Sequence, residues 1–355
     1  MTRPPLRVHL PVFAECDPSI VFGVYDTLWG AGRLWPMLHG KPSGPALFEP
    51  RLVGASAGQL ELITGATIVV HDAIEAVGET DIVFVPNVLV ESVDALRQLD
   101  ATVVGWIRRM YDGGASLYAS CGGSLVLALA GLLDGLETTT HWGYAALMRA
   151  AFPGVCVRED RILVQAGPGH RIVCSGGASS WQDLSLLLIA RHAGSAEAIR
   201  VSKVFLYQWH RDGQLAYASL VSNTDHDDGV VNELQEWLAE NYRRHDAVAR
   251  LVSRSMLPKR TFDRRFKRAT GQSPLAYIQA LRIEEAKQRL EAGEAAVEAV
   301  AAAVGYEDTR YFRRLFRRLT GMQPGAYRRK FRFPESAAER RHGHAGPAAG
   351  QESRF

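Results

Sequence analysis

Cys121 and His141 are the two side chains whose types and spacing could support nucleophilic chemistry. Cys121 follows directly on an apolar, strand-like run and precedes Gly122 and Gly123, which permit a tight turn into a helix. A helix N-terminus placed there would stabilise a thiolate or a bound anion. His141 lies twenty residues further on, in TTTHW, where a strand could return its imidazole to the cysteine. A Cys and His pair at a strained turn is the arrangement that nucleophilic catalysis requires.

Each of these residues also has a structural explanation. A cysteine after a core strand is commonly a small buried apolar residue, and a histidine beside a tryptophan commonly belongs to the core. A ligand pocket at the turn is a further alternative, because ligands bind at strand carboxyl ends in α/β sheets. Its candidate residues are Cys121, Gly122, His141 and Asp17. The four cysteines form no C-x-x-C pair or zinc spacing, so we expect no metal site and no cofactor.

A second chemistry-bearing pattern is a row of arginines that occurs twice, fifty residues apart. RTFDRRFKRATGQSPLAY (Arg260 to Tyr277) returns as RYFRRLFRRLTGMQPGAY (Arg310 to Tyr327), identical at ten of eighteen positions without a gap. Such self-similarity indicates one supersecondary unit used twice. At about 100° per residue, apolar residues take one side of each helix and cations the other. The inward sets are Phe262, Phe266 and Ala269, then Phe312, Phe316 and Leu319; the outward sets are Arg260, Arg264 and Lys267, then Arg310, Arg314 and Arg317.

A short helix, a tight turn and a basic helix form a helix-turn-helix unit, whose second helix enters the major groove. We therefore expect double-stranded DNA as a partner, since the arginine fork can bond guanine O6 and N7 together. The predicted base contacts come from Arg260, Arg264, Arg310 and Arg314, and the predicted phosphate contacts from Lys259, Lys267, Arg313 and Arg317. The helix predicted between the units, Pro274 to Glu291, would span on the order of 27 Å. Adjacent major grooves recur about every 34 to 36 Å, so two such helices could enter neighbouring grooves.

The two patterns fall into parts of the chain that carry opposite charge. Residues 1–228 hold 16 Lys and Arg against 23 Asp and Glu, a net of −7, whereas residues 229–333 hold 22 against 12, a net of +10. An acidic part joined to a basic part suggests that only the second meets a polyanion. The longest apolar run, Leu125 to Leu133, is far shorter than the roughly 20 residues of a membrane span. We expect a soluble, cytoplasmic, nucleoid-associated protein without a membrane partner.

The first 200 residues alternate strand-like and helical runs, which is typical of a parallel sheet covered on both faces. The predicted strands are Arg7 to Ala14, Thr67 to Val70, Asp81 to Asn87 and Ala115 to Ser120; predicted helices are Ser92 to Tyr111 and Gly123 to Leu133. In a closing helix after Gly176, Trp181 should pack and Asp183 should cap. The predicted fold class is therefore a doubly wound, mostly parallel α/β sheet of the flavodoxin-like kind, followed by an all-α domain with two helix-turn-helix units.

These patterns predict four segments of the chain. Residues 6–204 form the α/β domain, for which the resemblance described below implies a sensing or dimerisation role, and 205–229 form a linker that ends in DHDDG. Residues 230–333 form the DNA-binding domain. The tail 334–355, rich in Pro, Gly, Ala and mixed charges, is expected to be disordered.

The motifs ASCGGS, AGLLDG and TTHW resemble those of the class I glutamine amidotransferase-like superfamily, in the branch of the intracellular protease PfpI. The resemblance covers about residues 6–200, and implies that Cys121 matches the nucleophile and His141 its neighbour. In enzymatic members an acid after the first strand also contacts the cysteine. Here its place falls near Ser19 or Ile20, while Glu15 and Asp17 are offset from it.

The segment from residue 230 to 331 resembles the AraC/XylS-type DNA-binding domain, through LPKRTFDRRF, TGQSPLAYIQALRIEEAKQRLE, AVAAAVGYED and YFRRLFRRLTG. One departure is Gln323 in place of the usual Ser, which should alter a helix cap rather than DNA reading. The whole chain resembles the GlxA-type transcriptional regulators, whose members commonly dimerise and sense small metabolites.

This resemblance implies a sequence-specific regulator that acts on the transcription machinery, with a first domain that dimerises or binds a small-molecule effector. We expect a regulator rather than an enzyme. Two alternatives stay open from the sequence. The first is a cysteine-dependent hydrolase or glyoxalase-like enzyme tethered to DNA, and the second is a first domain that only dimerises.

Overall fold

The computed structural model describes residues 4–220 and 226–332, and the chain divides into two compact units between Ala218 and Ser219. The predicted tail, 334–355, lies outside the described residues. None of the helices within the described ranges is both long and apolar enough to cross a membrane.

Eleven strands occur in the described part of the first unit. They are β1 (Leu6–Pro11), β2 (Phe48–Gly54), β3 (Gly58–Glu61), β4 (Thr67–Val70), β5 (Asp72–Ala73), β6 (Ile82–Val85), β7 (Ser116–Ser120), β8 (Glu137–Thr138), β9 (Cys156–Val157), β10 (Leu163–Ala166) and β11 (Ile172–Ser175). Seven of them form one sheet in the order β10-β11-β7-β6-β1-β2-β5. Its neighbouring strands are parallel except β10 and β11, which are antiparallel.

The helices of this unit cover both faces of the sheet. They are α1 (Pro18–Gly30), α2 (Leu34–Leu38), α3 (Val93–Arg97), α4 (Ala101–Asp112), α5 (Gly123–Leu129), α6 (Ala145–Ala151), α7 (Trp181–Ala193) and α8 (Ser195–Phe205). The strand order runs one way from β1 to β2 and the other way from β6 to β7. Because parallel crossovers are right-handed, α1 and α4 must lie on opposite faces. The predicted doubly wound, mostly parallel fold is confirmed.

Two local predictions for this unit were wrong. β4, predicted as a strand of the parallel sheet, instead pairs antiparallel with β3, and its residues alternate between exposed and buried as in a half-covered hairpin. The helix predicted over residues 92–111 is two helices. Ser92 caps α3 by accepting from the Ala95 amide, and Asp100 caps α4 by accepting from the Thr102 amide, so a second N-terminus starts inside the predicted span.

Residues 207–218, which we call the strap, pack in the first unit although the sequence placed them in the linker. The Tyr207 and Thr27 hydroxyls are 2.8 Å apart, and the Gln214 side chain is 1% exposed. The side-chain amide of Gln214 both accepts and donates a hydrogen bond within the first unit, and these bonds hold the strap there. The division between the units therefore falls within the predicted linker rather than at DHDDG.

The described part of the second unit is entirely helical. Its helices are α9 (Gly229–Asn241), α10 (Ala247–Ser255), α11 (Lys259–Thr270), α12 (Pro274–Ala292), α13 (Val297–Ala303), α14 (Thr309–Thr320) and α15 (Pro324–Phe331). α10 with α11, and α13 with α14, form two helix-turn-helix units joined by α12. Ser273 caps α12 by accepting from the Ala276 amide, whereas Gln323 makes no cap bond to α15. The expected effect of Gln323 on a helix cap is thus confirmed.

Candidate functional site

The two basic helices, α11 and α14, are anchored by aromatic clusters of the same geometry. The centres of the two phenylalanine rings lie 5.5 Å apart in the first cluster and 5.8 Å apart in the second. In both clusters the second phenylalanine ring meets a tyrosine ring edge-on at 5.4 Å. The rings are Phe262, Phe266 and Tyr277 in the first cluster, and Phe312, Phe316 and Tyr327 in the second. All six are buried. The inward faces predicted from helical periodicity are the faces that pack.

Both basic helices also end in the same way. Thr270 donates a hydrogen bond from Oγ1 to the Phe266 carbonyl at 2.9 Å, and Thr320 donates to the Phe316 carbonyl at 2.8 Å. Gly271 and Gly321 follow, each with φ of +77°, where a side chain would be strained. The repeated Thr-Gly pair therefore stops each helix and turns the chain at the same angle.

The outward faces of α11 and α14 carry cations at every predicted position. All eight predicted DNA-binding side chains belong to exposed residues: Lys259, Arg260, Arg264, Lys267, Arg310, Arg313, Arg314 and Arg317. Two of them have an acidic partner, since Lys259 lies 2.6 Å from Asp263 and Arg313 lies 2.7 Å from Glu298. Within the described residues the other six form no ion pair. They are available to a polyanion without breaking an ion pair, although the Arg314 guanidinium lies 5.9 Å from the centre of the Tyr311 ring.

Two further arginines on the same helices serve the fold instead. Arg265 makes a two-pronged ion pair with Asp228, with nitrogen to oxygen distances of 2.7 and 2.9 Å, and so ties α11 to the start of α9. Arg318 donates to Gln279 Oε1 at 3.1 Å, which ties α14 to α12. The arginine rows therefore contain both structural and unpaired members.

Arg282, in the middle of α12, connects the two helix-turn-helix units. Its guanidinium donates to the carbonyls of Tyr242, Arg244 and Gly305 at 2.8, 2.9 and 2.9 Å. The first two carbonyls lie in the turn between α9 and α10, which leads into the first helix-turn-helix unit, and the third belongs to the turn between α13 and α14 of the second. Gly305, with φ of +87°, lies so close to Arg243 that a Cβ would meet its carbonyl oxygen at 2.5 Å. One side chain thus holds both units against α12.

The turn at Cys121, which we call the elbow, joins β7 to α5. Cys121 has φ of +56°, an unusual value for a residue with a side chain, so the predicted strain is present. Asn87, from the loop after β6, accepts from the Gly122 amide at 2.8 Å. A Cβ on Gly123 would lie 2.5 Å from the Val85 carbonyl oxygen, so this close approach requires glycine.

Burial dominates the chemistry of the Cys121 thiol. The residue is 2% exposed, and burial raises its pKa to about 12; the Gly122 amide opposes this shift and Asp17 adds to it. The thiolate that a helix N-terminus could stabilise is therefore not favoured, because desolvation of the charge outweighs the amide. The prediction of a stabilised thiolate was wrong for this reason.

His141 is close to the elbow in sequence but is engaged elsewhere. Its Nδ1 accepts from the Gly143 amide at 3.0 Å, and burial lowers its pKa. Among the described residues no hydrogen bond joins His141 to Cys121. The residue that returns to the elbow is Thr140, whose Oγ1 donates to the Cys121 carbonyl at 3.0 Å.

Asp17, the nearby acid that acts on the pKa of Cys121, also has a structural role. Asp17 caps α1 by accepting from the Ser19 amide at 3.0 Å and from its hydroxyl at 2.7 Å. Ser19 and Ile20, where the acid of enzymatic relatives would fall, occupy the first turn of α1. The predicted cap at Asp183 was wrong, because its buried carboxylate accepts from the His210 amide at 2.8 Å rather than from α7.

Comparison with known proteins agrees with this architecture. Residues 251–330 match the family described as a helix-turn-helix domain. The HTH-type transcriptional regulator CdhR of Pseudomonas aeruginosa is 28% identical over 274 residues, which are 75% of this chain and 77% of CdhR. The HTH-type transcriptional regulator GlxA of Rhizobium meliloti is 29% identical over 204 residues, 56% of this chain and 61% of GlxA.

The chain is an AraC-type helix-turn-helix transcriptional regulator. The predicted similarity to GlxA-type regulators is confirmed. Because the match with CdhR is longer than the second unit, it extends into the α/β unit. A ThiJ/PfpI family protein from Pseudomonas syringae, solved by crystallography, aligns with a TM-score of 0.48 at 16% identity, over 67% of this chain and 87% of that chain.

Several residues that shape the elbow of this AraC-type regulator carry no signal in the sequence. Asn87 and Thr140 bond the elbow backbone, and Tyr144 would lie 3.0 Å from a Cβ placed on Gly122. Gln214 accepts from the Trp142 amide at 2.9 Å and donates to the Thr140 carbonyl at 2.8 Å. A polar residue at the carboxyl end of a central strand, as Asn87 is, is the kind of signal that could have indicated one of them.

Proposed function

We propose that this regulator reads a specific DNA sequence by placing α11 and α14 in adjacent major grooves. The observation that carries the proposal is the repeated construction, in which two buried aromatic clusters present two cationic faces in the same way. α12 has nineteen residues and so spans about 28 Å at about 1.5 Å per residue. This length suits grooves that recur about every 34 to 36 Å on one side of the duplex.

Within this proposal the eight cations divide into two roles. Arg260, Arg264, Arg310 and Arg314 contact base edges, because the arginine fork matches the acceptor pair of guanine. Lys259, Lys267, Arg313 and Arg317 contact phosphates. The ion pairs of Lys259 with Asp263 and Arg313 with Glu298 hold these side chains extended until phosphate oxygens replace the carboxylates.

The first unit, in this proposal, controls DNA binding by sensing a small molecule and by pairing two copies of the chain. Cys121, Gly122, His141 and Asp17 are proposed as ligand-pocket residues at the elbow rather than as catalytic ones. The raised pKa of Cys121 and the engagement of His141 by Gly143 support a regulatory elbow over a hydrolase. The regulator then acts on the transcription machinery in the cytoplasm, at the nucleoid.

The DNA proposal is tested by selecting bound duplexes from a random pool with the full chain, and then measuring variants on the selected sequence. Arg264→Ala and Arg314→Ala should each cost about 1 to 3 kcal/mol and relax base preference in one half of the site. Lys267→Ala should weaken all sequences alike and reduce the salt slope by about 1.

Arg289→Ala is the matched control, because Arg289 is a cation on α12 that pairs with Glu285 and has no proposed DNA contact. It should bind the selected sequence as the wild type does. Selection of no consensus sequence, or an Arg264→Ala variant with an unchanged footprint and affinity, would refute the proposal.

A further inference from the structure

A cavity of about 280 Å³ lies at the carboxyl end of β11, next to the elbow but distinct from it. The loop 176–180, which follows β11, forms one wall, and His141 and Trp142 form another. The strap closes the third side with His210, Gln214 and Tyr217. Neither Cys121 nor Gly122 is among the lining residues. Carboxyl ends of parallel strands are the usual place for ligands in this fold class.

Specific contacts attach the strap to the other walls of the cavity and to the rest of the first unit. His210 Nδ1 lies 2.6 Å from an oxygen of the fully buried Asp183 carboxylate. Gln214 bonds the Trp142 amide, the Thr140 carbonyl and the Arg161 carbonyl. These contacts join the strap to the other walls, so a molecule in the cavity would bear on the strap directly.

The strap also leads straight into the second unit. It ends at Ala218, and the division between the units follows at Ser219. One segment of twelve residues is therefore both a wall of the cavity and the covalent connection to the DNA-binding unit. Coupling of two sites requires ligand contacts that differ between two states, and contacts to the strap would supply that difference in the segment that precedes the second unit.

The lining residues indicate what kind of molecule fits. None of the described residues that line the cavity is Lys, Arg, Asp or Glu, whereas His141, Trp142 and Tyr217 contribute rings. The main-chain amides of the three residues 177–179 donate to no other described group, so the loop offers hydrogen-bond donors to an acceptor oxygen. The volume corresponds to about nine water molecules at about 30 Å³ each, which suits a ligand of roughly ten non-hydrogen atoms.

We propose that this cavity is a second ligand site of the regulator, beside the elbow pocket proposed above, and that it takes a small aromatic or heteroaromatic molecule carrying a carboxylate or carboxamide. The ring stacks against Trp142 and His141, and the acceptor oxygen meets the amides of the loop 176–180. Binding fixes the strap and thereby changes DNA affinity. The coupling to DNA rests on the function proposed above, whereas binding in the cavity does not.

The test uses the full chain with benzoate, benzamide, benzylamine and cyclohexanecarboxylate, which are similar in size. Benzoate or benzamide at ten times its dissociation constant should raise the thermal midpoint of the first unit by about 3 °C. The same compound should slow amide hydrogen exchange in the strap. Benzylamine lacks the acceptor and cyclohexanecarboxylate lacks the planar ring, so neither should match this shift.

Two variants, each with tryptophan in place of an alanine, locate the binding site. Ala178 lines the cavity, and Ala178→Trp should fill it, abolish the thermal shift and change the affinity for the selected DNA by at least about fivefold. Ala55→Trp is the matched control, because Ala55 is an exposed alanine of the same unit that lines a different cavity. This control should keep the shift and the DNA affinity.

The proposed site is overturned if neither benzoate nor benzamide stabilises the chain, if benzylamine stabilises it equally, or if both variants respond alike. Coupling is overturned if Ala178→Trp loses probe binding while DNA affinity stays within about twofold of wild type. Failure of the DNA selection alone removes the DNA-reading function and leaves the cavity result standing, so the two failures are distinguishable.

Discussion

Replacement of Arg282 should separate the two helix-turn-helix units more than any other single change on α12. Arg282 is 9% exposed and satisfies three carbonyls, those of Tyr242, Arg244 and Gly305. Its guanidinium also lies 5.0 Å from the centre of the Tyr306 ring. Arg282→Met keeps much of the volume but removes every donor. The carbonyls of Tyr242 and Gly305 then lose their partner, while the Arg244 carbonyl keeps the Ala247 amide at 3.2 Å.

The magnitude follows from those three bonds. A buried acceptor left without a donor costs about 1 to 3 kcal/mol, and the low end applies to the Tyr242 and Gly305 carbonyls where water can reach them. The Arg244 carbonyl loses a hydrogen bond to a charged donor, which is worth about 1.5 kcal/mol. The total is therefore at least about 3 kcal/mol, a large fraction of the roughly 5 to 15 kcal/mol that stabilises a typical domain. Arg282→Lys, which can satisfy one or two of the carbonyls and keeps the charge near Tyr306, should lose about half as much.

Hydrogen exchange of the full chain measures this effect in each unit separately. In Arg282→Met, amides of α12 and α14 should exchange roughly 100-fold faster, since about 1.4 kcal/mol corresponds to a factor of ten. Amides of β6 and β7, in the first unit, serve as the internal reference and should not change. Arg289→Met, which breaks only the exposed pair with Glu285, should cost no more than about 0.5 kcal/mol.

The reasoning is refuted if Arg282→Met accelerates exchange no more than Arg289→Met does, or if β6 and β7 accelerate equally. A second consequence concerns DNA. Arg282→Met lacks the hydrogen bonds that hold the two turns against α12. It should therefore bind the selected sequence with one base pair inserted between its halves nearly as well as the original sequence. Wild type should discriminate clearly against the insertion.

Three further outcomes are expected. A thiol reagent at mildly alkaline pH should label exposed Cys156 in the folded chain, while Cys121 should react only after unfolding; rapid labelling of Cys121 would contradict its raised pKa. Burial lowers the pKa of His9 from 6.5. The stability that depends on neutral His9 is therefore complete above about pH 6.5, and it declines below that pH because the unfolded state takes up the proton first. Thermal scans from pH 7.5 to about 5.5 should therefore show a smaller loss in His9→Gln than in wild type, and equal losses would disprove this. Met256 is 88% exposed and has φ of +54° in the turn between α10 and α11. Met256→Gly should raise the free energy of unfolding in urea by about 0.5 kcal/mol, and a decrease would contradict backbone strain at this position.

Much of the second unit could be predicted from the chain because its organisation is local. Helical periodicity decides that Phe262 and Phe266 share a face and that Arg264 lies opposite, whatever the rest of the molecule does. Asp308 caps α14 by accepting from the Arg310 amide at 2.8 Å, a local contact of the kind that aspartates before a helix commonly make. The repetition after fifty residues then supplied the second helix-turn-helix unit.

Periodicity could not distinguish among the arginines on these faces. Arg265 is bound to Asp228 and Arg318 to Gln279, while Arg264 has no ion pair in the described part of the chain. Their partners are 37 and 39 positions away, and no spacing rule connects them. Such pairings depend on how the helices cross, which only packing determines.

In the α/β unit, too, some features follow from the local sequence and others depend on tertiary packing. The sequence by itself determined the alternation of strands and helices, the glycine turn at Cys121, and hence the fold class, because runs of apolar residues and turn residues act within a few positions. Only the tertiary structure decided the chemistry of the elbow. The backbone of the elbow is bonded by Asn87 and Thr140, no hydrogen bond between Cys121 and His141 occurs among the described residues, and burial by distant segments raises the pKa of Cys121. Desolvation and hydrogen bonding are properties of the packed neighbours of an atom, and those neighbours come from parts of the chain that local patterns do not connect.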